Sequence, residues 1–329
     1  MTRHCYIHIG THKTGTTSLQ VFLRDNEEQF ARNNVLIPKA GRSEDGVGHH
    51  NLTQQLIGAA GFVAERGGLD EFVDELRTSD KQVACISSED FSLLSRSAEA
   101  LTRLRDAVRT SGFTPVIVVY LRPQVSYCVS IYAEIVKNGN RKSFATYLDE
   151  IRQYGSFLWD GWPGPPCRYD FLLDCFSAVF GREAIIVRRY DGRAPSHALL
   201  RSFAELLIGS SIRHDNFVLP TKKFNPSFSF LSVLRTLGSD IHVKDMRFAP
   251  LSVRETLRLA AMFHSANVDV ARRYGVWVLP VEFTDILLAL PLRKTVERTR
   301  ALRQARRMLR DMVIEDADVV TPNLSNTSF

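Results

Sequence analysis

The chain has 329 residues, 44% of them hydrophobic and 24% charged, with a formal net charge of +6. Those fractions are ordinary for a globular protein, and no apolar run is long enough to cross a bilayer. The charge is local: between Arg293 and Arg310 eight basic residues face one acid, Glu297, so that stretch carries +7 and the remainder about −1, which argues against the broad basic surface of a nucleic-acid-binding protein.

The first element expected is a short buried strand over Cys5 to Ile9, close behind Met1-Thr2-Arg3-His4, so no secretory signal is expected. A loop with Gly10 and Gly15 follows, then a helix with Leu19, Phe22, Leu23 and Phe30 at helical spacing and Asn26 off the pattern. Strand, glycine loop and helix together suit an anion, because loop N–H groups and a helix N-terminus converge on one point. Lys13 adds a positive charge, and Thr14, Thr16, Thr17 and Ser18 add hydroxyl donors. The nucleotide-binding pattern G-x-x-x-x-G-K-[ST] is only half met: Gly10 and Gly15 have the spacing, but Thr16-Thr17 stand where Lys-Ser would be needed. The lysine lies inside the loop, which weakens a reading as an ATPase or kinase.

Val35 to Pro38 is expected to be a short extended piece and Lys39 to Gly48 a polar loop, with His49-His50-Asn51 at the mouth of a helix. Gly67-Gly68 breaks the chain before a helix carrying Leu69, Phe72, Val73 and Leu76. Val83 to Ile86 is a second buried strand ending in Ser87-Ser88-Glu89-Asp90, and strand carboxyl ends face the ligand crevice in parallel α/β sheets. A helix with Leu101, Leu104 and Val108 leads to Val116–Leu121, apolar on both faces and hence a central parallel strand. It runs into Arg122-Pro123 and a helix whose expected buried stripe is Val125, Val129, Tyr132, Ala133 and Val136. Ser130 lies eight residues beyond Arg122. Arginine makes bidentate phosphate contacts, and a serine hydroxyl adds a further donor.

A helix is expected from Ser143 to Arg152, then an aromatic loop from Trp159 to Pro166, able to line an acceptor groove or simply to pin a surface turn. Tyr169 to Phe180 is a helix, Ala184 to Asp191 a strand, and Leu199 to Ile208 a helix. The remainder is expected to be mostly helical, ending in the basic helix 293–310, whose arginines lie over Val296, Leu302, Ala305 and Leu309. That helix is read as docked with a solvated cationic face, the alternative being peripheral contact with an anionic glycan or a membrane surface. Residues 321–329 read as a tail. Five cysteines without zinc spacing point to reduced thiols and a cytoplasmic protein, and no metal motif occurs.

Alternating strands and helices predict an α/β, P-loop-like three-layer fold with a central parallel sheet and a helical C-terminal extension. The expected organisation is one domain over 1–329, with a nucleotide-binding core over 4–230, a mainly helical extension over 231–320 and the tail. Lys13-Thr14-Gly15-Thr16-Thr17 after a strand resembles the 5′-phosphosulfate loop of sulfotransferases that use 3′-phosphoadenosine 5′-phosphosulfate (PAPS). Arg122 and Ser130, on a strand-Arg-Pro-helix pattern with the same eight-residue step, resemble that family's 3′-phosphate motif. The overall similarity is greatest to its bacterial carbohydrate-type branch.

The resemblance implies sulfuryl transfer from PAPS to an acceptor hydroxyl, on a carbohydrate or glycolipid, without a metal. It places Lys13 at the leaving oxygen, Thr14 to Ser18 at the 5′-phosphate, Arg122 and Ser130 at the 3′-phosphate and Tyr190, of Tyr190-Asp191, near the adenine. Lys222 and Lys223 are read either as the basic pair that closes the 3′-phosphate site in that family or as a solvated charged loop. The base that receives the hydroxyl proton is left between His50, Glu89 and His49; an unperturbed histidine titrates near 6.5, well suited to the task. His12 reads as a loop residue. The alternatives are a magnesium-dependent nucleotide kinase and a non-catalytic nucleotide-binding protein.

Overall fold

Cys5, Ile7 and Ile9 are fully buried, and the run around them forms strand β1 (His4–His8) at the centre of a five-stranded sheet. In the computed structural model the described residues are 2–140, 142–159, 162–192, 194–209, 216–220, 251 and 253–281. The chain divides into two compact units, Met1–Arg122 with Gln153–Ser227, and Pro123–Arg152 with Phe228–Phe329.

In the first unit β1 is followed by helices α1 (Thr16–Asp25) and α2 (Glu27–Arg32), then β2 (Val35–Leu36). The expected single helix breaks at the off-pattern Asn26. Its buried side-chain amide donates to the carbonyls of Phe22 and Val218, and its oxygen accepts from the Val218 N–H at 2.7 Å. A side chain that bonds backbone in this way competes with the helix it sits in. Next come α3 (His50–Leu56), α4 (Leu69–Thr78), β3 (Val83–Ser87), α5 (Ala98–Thr110) and β4 (Thr114–Leu121). A short 3₁₀ stretch, Glu89–Arg96, links β3 to α5.

Every pairing in the main sheet is parallel and the strand order is β2-β3-β1-β4-β7, where β7 is Ile185–Arg189. Residues from α1, α2, β3, β4 and helix α9 (Ser196–Ile208) share one buried cluster that includes Phe22, Phe30, Cys85, Val118 and Phe203. Helices α5 and α8 (Tyr169–Phe180) also pack on β4. The expected α/β fold with a central parallel sheet is therefore present. From β1 the chain first builds outward to β2 and β3, then crosses to β4 on the other side. That change of direction opens a crevice at the carboxyl ends of β1, β3 and β4.

In the second unit α6 (Gln124–Lys137) follows Pro123, which stands just before the helix as its cap and not in its first turn. Its buried residues are Gln124, Val125, Tyr127, Cys128, Ile131, Tyr132, Ile135 and Val136, so the expected places of Val129 and Ala133 on the stripe are corrected. Helix α7 (Phe144–Tyr154) packs Phe144 and Tyr147 on Tyr132. On the last described helix, α10 (Val253–Tyr274), Asn267 exchanges hydrogen bonds of 2.6 and 2.8 Å with Gln124. Back in the first unit, the aromatic segment expected to be a loop holds a two-stranded antiparallel hairpin, β5 (Leu158–Trp159) with β6 (Trp162–Pro163). The basic helix 293–310, the tail, and Lys222 and Lys223 lie outside the described residues.

No helix among the described residues is long and apolar enough to cross a membrane. All five cysteines are free thiols, four of them buried.

Candidate active site

Four strand ends build the site. After β1 the chain runs through Gly10, Lys13 and Gly15, all with left-handed backbone, φ +49°, +64° and +80°. Gly15 caps α1, and its positive φ would strain any side chain there; a Cβ would lie 2.9 Å from Leu199 Cδ2 and 3.5 Å from the Tyr190 ring. That contact also shows where Tyr190 lies, at the end of β7 and against the loop. Its N–H donates to the Leu121 carbonyl at 2.8 Å. No acidic residue occupies the first turn of α1, so the N–H groups at this helix start meet no local carboxylate.

Lys13 is the one non-glycine in the loop with positive φ, a conformation that costs a residue with a side chain roughly 1–2 kcal/mol. Its carbonyl accepts a hydrogen bond of 3.1 Å from Arg122, directly after β4. The Arg122 carbonyl in turn accepts from the Tyr169 hydroxyl at 2.6 Å. The threonines divide in role. Thr11 donates to the Tyr120 carbonyl, Thr14 donates to the Thr11 carbonyl, and Thr16 is buried with its hydroxyl 3.5 Å from that of Thr14. The side-chain hydroxyls of Thr14 and Thr16 are turned into the loop itself, which leaves these two residues their backbone N–H groups for an anion. Thr17 and Ser18 are half-buried, and Thr17 reaches a neighbouring cavity.

That cavity, about 540 Å³, is also lined by Gln20, Asp45, His50, Arg66 and Glu89. Glu89 follows β3 and packs against the loop: a Cβ on Gly10 would sit 3.2 Å from its Cα. One Glu89 carboxylate oxygen accepts from Gln20 at 2.8 Å and lies 3.8 Å from His50 Nε2. His50 Nδ1 is 2.9 Å from Asp90 Oδ2 and 3.0 Å from the Ser88 hydroxyl. The other Asp90 oxygen lies 3.6 Å from His12 Nε2, in the Lys13 loop.

The electrostatics follow from these contacts. Burial pulls the His50 pKa down, but the hydrogen bond to Asp90 and the charges of Glu89, Asp90 and Asp45 outweigh it, and the net shift is upward. Burial pushes the Asp90 carboxyl up, yet its bond to His50 and the charges of His50 and His12 leave it below its ordinary value.

His49 stands apart. It is buried, its Nδ1 accepts from the Ser87 N–H at 3.2 Å and its Nε2 lies 2.9 Å from the Pro38 carbonyl. Both nitrogens are spent inside the fold, and burial with the nearby Arg42 charge lowers its pKa to about 3. The expectation that His49 could serve as base is corrected on that geometry.

Lys13, Gly15, Thr17, Arg122, Tyr190, His50 and Glu89 thus all belong to the first unit, on neighbouring strand ends. Ser130 is half-buried on α6, in the second unit, and Lys222 lies outside the described residues. Two contributors escaped the sequence reading. Asp90 is one of them, and the signal in the sequence is its place beside Glu89 at the end of a buried strand. Gln20 is a polar residue buried next to Leu19, and no spacing rule singles it out.

No family model and no curated protein matches the chain. Among solved structures, a sulfotransferase from Alicyclobacillus acidocaldarius is similar over 84% of this chain and 97% of its own, with 16% identity and a TM-score of 0.43. Mouse sulfotransferase SULT7A1 complexed with PAP is similar over 92% of this chain and 82% of its own, at 11% identity and a TM-score of 0.32.

Proposed function

We propose that the protein is a PAPS-dependent sulfotransferase acting on an acceptor hydroxyl of a carbohydrate or glycolipid. The observation that carries this reading is the Lys13 loop, pinned by Arg122 and opening beside a cavity whose wall holds His50 and Glu89. A cationic anion-binding loop and a proton acceptor side by side are what group transfer to a hydroxyl requires.

The same residues would serve the donor. The left-handed loop and the acid-free start of α1 offer backbone N–H groups to the 5′-phosphate, with Thr17 and Ser18 as hydroxyl donors. Tyr190, against Gly15, would meet the adenine, and Arg122 the 3′-phosphate. PAPS supplies the sulfuryl group and departs as adenosine 3′,5′-bisphosphate. The acceptor oxygen forms the new S–O bond as the bridging S–O bond breaks, and its proton passes to the His50–Glu89 pair. Lys13 neutralises charge on the leaving phosphate oxygen, an interaction strongest in the transition state.

A melting scan with nucleotides tests the reading. Adenosine 3′,5′-bisphosphate should stabilise the protein without magnesium, by ~2.7 kcal/mol at a hundred times its Kd, or several degrees in Tm. Adenosine 5′-monophosphate should do much less, and Arg122→Ala should erase the difference. A shift seen only with ATP and magnesium would replace this reading by the kinase.

A further inference from the structure

Asp90 has no place in the function proposed above, yet it lies between two histidines of the site. Its two oxygens face two histidines from different elements, His50 at the start of α3 and His12 in the Lys13 loop. We infer that Asp90 is a positioning residue that fixes the His50 tautomer, so that His50 Nε2 is the atom that takes the acceptor's proton. This rests on the sulfotransferase reading, which leaves the proton with the His50–Glu89 pair as a whole.

The argument is one of donors and acceptors. An ionised carboxylate can only accept, so the 2.9 Å contact with Asp90 places the ring hydrogen on Nδ1. The Ser88 hydroxyl, 3.0 Å from the same nitrogen, accepts the Asp90 N–H at 3.2 Å and so holds the carboxylate in place. With Nδ1 protonated, neutral His50 presents its lone pair at Nε2. That atom lies 3.8 Å from Glu89 Oε2, and His50 and Glu89 line the same cavity. Glu89 is itself tied down by Gln20. In the transfer step the acceptor O–H bond breaks, its proton goes to Nε2, and the resulting imidazolium is flanked by Asp90 and Glu89. A base whose far nitrogen is oriented by a third group is a general solution for activating a hydroxyl. The His12 contact adds a link from the same carboxylate to the donor loop.

Among the described residues, the charged and titratable groups around His50 are Asp90 and Glu89 from the β3 end, Glu44 and Asp45 from the 39–48 loop, Arg66 across the cavity and paired with Glu44, His49 beside it in sequence, and His12 beyond Asp90. Asp90→Asn keeps the volume but reverses the hydrogen bond: its amide donates to Nδ1 and moves the ring hydrogen to Nε2.

The test uses the whole protein and two readouts. In long-range ¹H–¹⁵N spectra without nucleotide, neutral wild-type His50 should carry its hydrogen on Nδ1. In Asp90→Asn it should carry it on Nε2, with a lower titration midpoint. With PAPS and an acceptor that wild type sulfates, Asp90→Asn should lose about 100-fold or more in kcat, the scale of general base catalysis. The shift with adenosine 3′,5′-bisphosphate should be kept, and Asp90→Glu should recover part of the rate. An Nε2–H tautomer in wild type, or an Asp90→Asn enzyme with unchanged kcat and pH profile, overturns the inference and leaves the sulfotransferase reading standing. A wild type that binds no bisphosphate and transfers no sulfuryl group removes that reading, and the proton-accepting role of His50 with it.

Discussion

Arg122 donates to the carbonyl of Lys13 at 3.1 Å, across the gap between the ends of β4 and β1. The bond holds a lysine in a backbone conformation that lysine avoids, φ +64°. Strain of this kind persists where neighbouring structure over-determines it, and here it fixes the turn from which the Lys13 side chain departs.

Lys13→Gly and Lys13→Ala should therefore part company in stability but not in activity. Both lose the charge and should fall about 10²–10³-fold in kcat, the scale for a removed transition-state donor. Lys13→Gly relieves the positive φ and should be more stable than Lys13→Ala by up to ~1 kcal/mol. Urea unfolding together with steady-state kinetics checks both. Equal stability of the two variants would mean that the loop carries no strain, and an unchanged kcat would remove Lys13 from the reaction.

Gly48 has φ +74°, and a Cβ there would lie 2.7 Å from His50 Nε2 and 2.9 Å from Gln20 Cδ. Gly48→Ala should push both side chains away from Glu89. We expect turnover at least ~10-fold lower and a stability loss of ~1 kcal/mol or more from the left-handed alanine. The bisphosphate melting shift should stay, because the Lys13 loop is untouched. A variant with wild-type kcat would show that the His50 ring position is not critical.

Acid should destabilise the fold from near neutrality downward. His8 and His49 are buried and held neutral, each with its pKa lowered to about 3, burial being the main cause. An unfolded histidine takes its proton near 6.5. Between about pH 6.5 and 3 the unfolded chain thus binds more protons, and stability falls as pH falls, by up to ~1.4 kcal/mol per pH unit for each histidine. His50, with its raised pKa, acts in the opposite sense: its contribution is present below 6.5 and lost as pH rises through its folded midpoint. Asp90, with a lowered pKa, adds stability above the ordinary aspartate range that is lost as pH falls through its folded value. Unfolding free energies measured in urea from about pH 4.5 to 7.5 should climb to near 6.5 and then flatten or dip. A flat profile below 6.5 would contradict the buried neutral histidines.

The parallel strands of the main sheet, the Lys13 loop and the class of fold were legible in the sequence, whereas the β5–β6 hairpin was not. Apolar runs such as Val116–Leu121 and the helical spacing of Leu101, Leu104 and Val108 are local signals, and burial enforces them wherever the elements pack. The Lys13 loop was legible for the same reason, since glycine spacing records backbone geometry directly. What the tertiary structure alone decided is how neighbouring residues differ. His49 and His50 are adjacent in sequence, but a helix start turns one ring onto the Pro38 and Ser87 backbone and the other toward Asp90 and the cavity. Thr16 and Thr17 divide in the same way between loop interior and cavity. Gln20 meets Glu89 across 69 positions of sequence, because parallel strand order brings the ends of β1 and β3 side by side. Direction around a helix and adjacency in a sheet are set by packing against distant parts of the chain, and no local pattern encodes them.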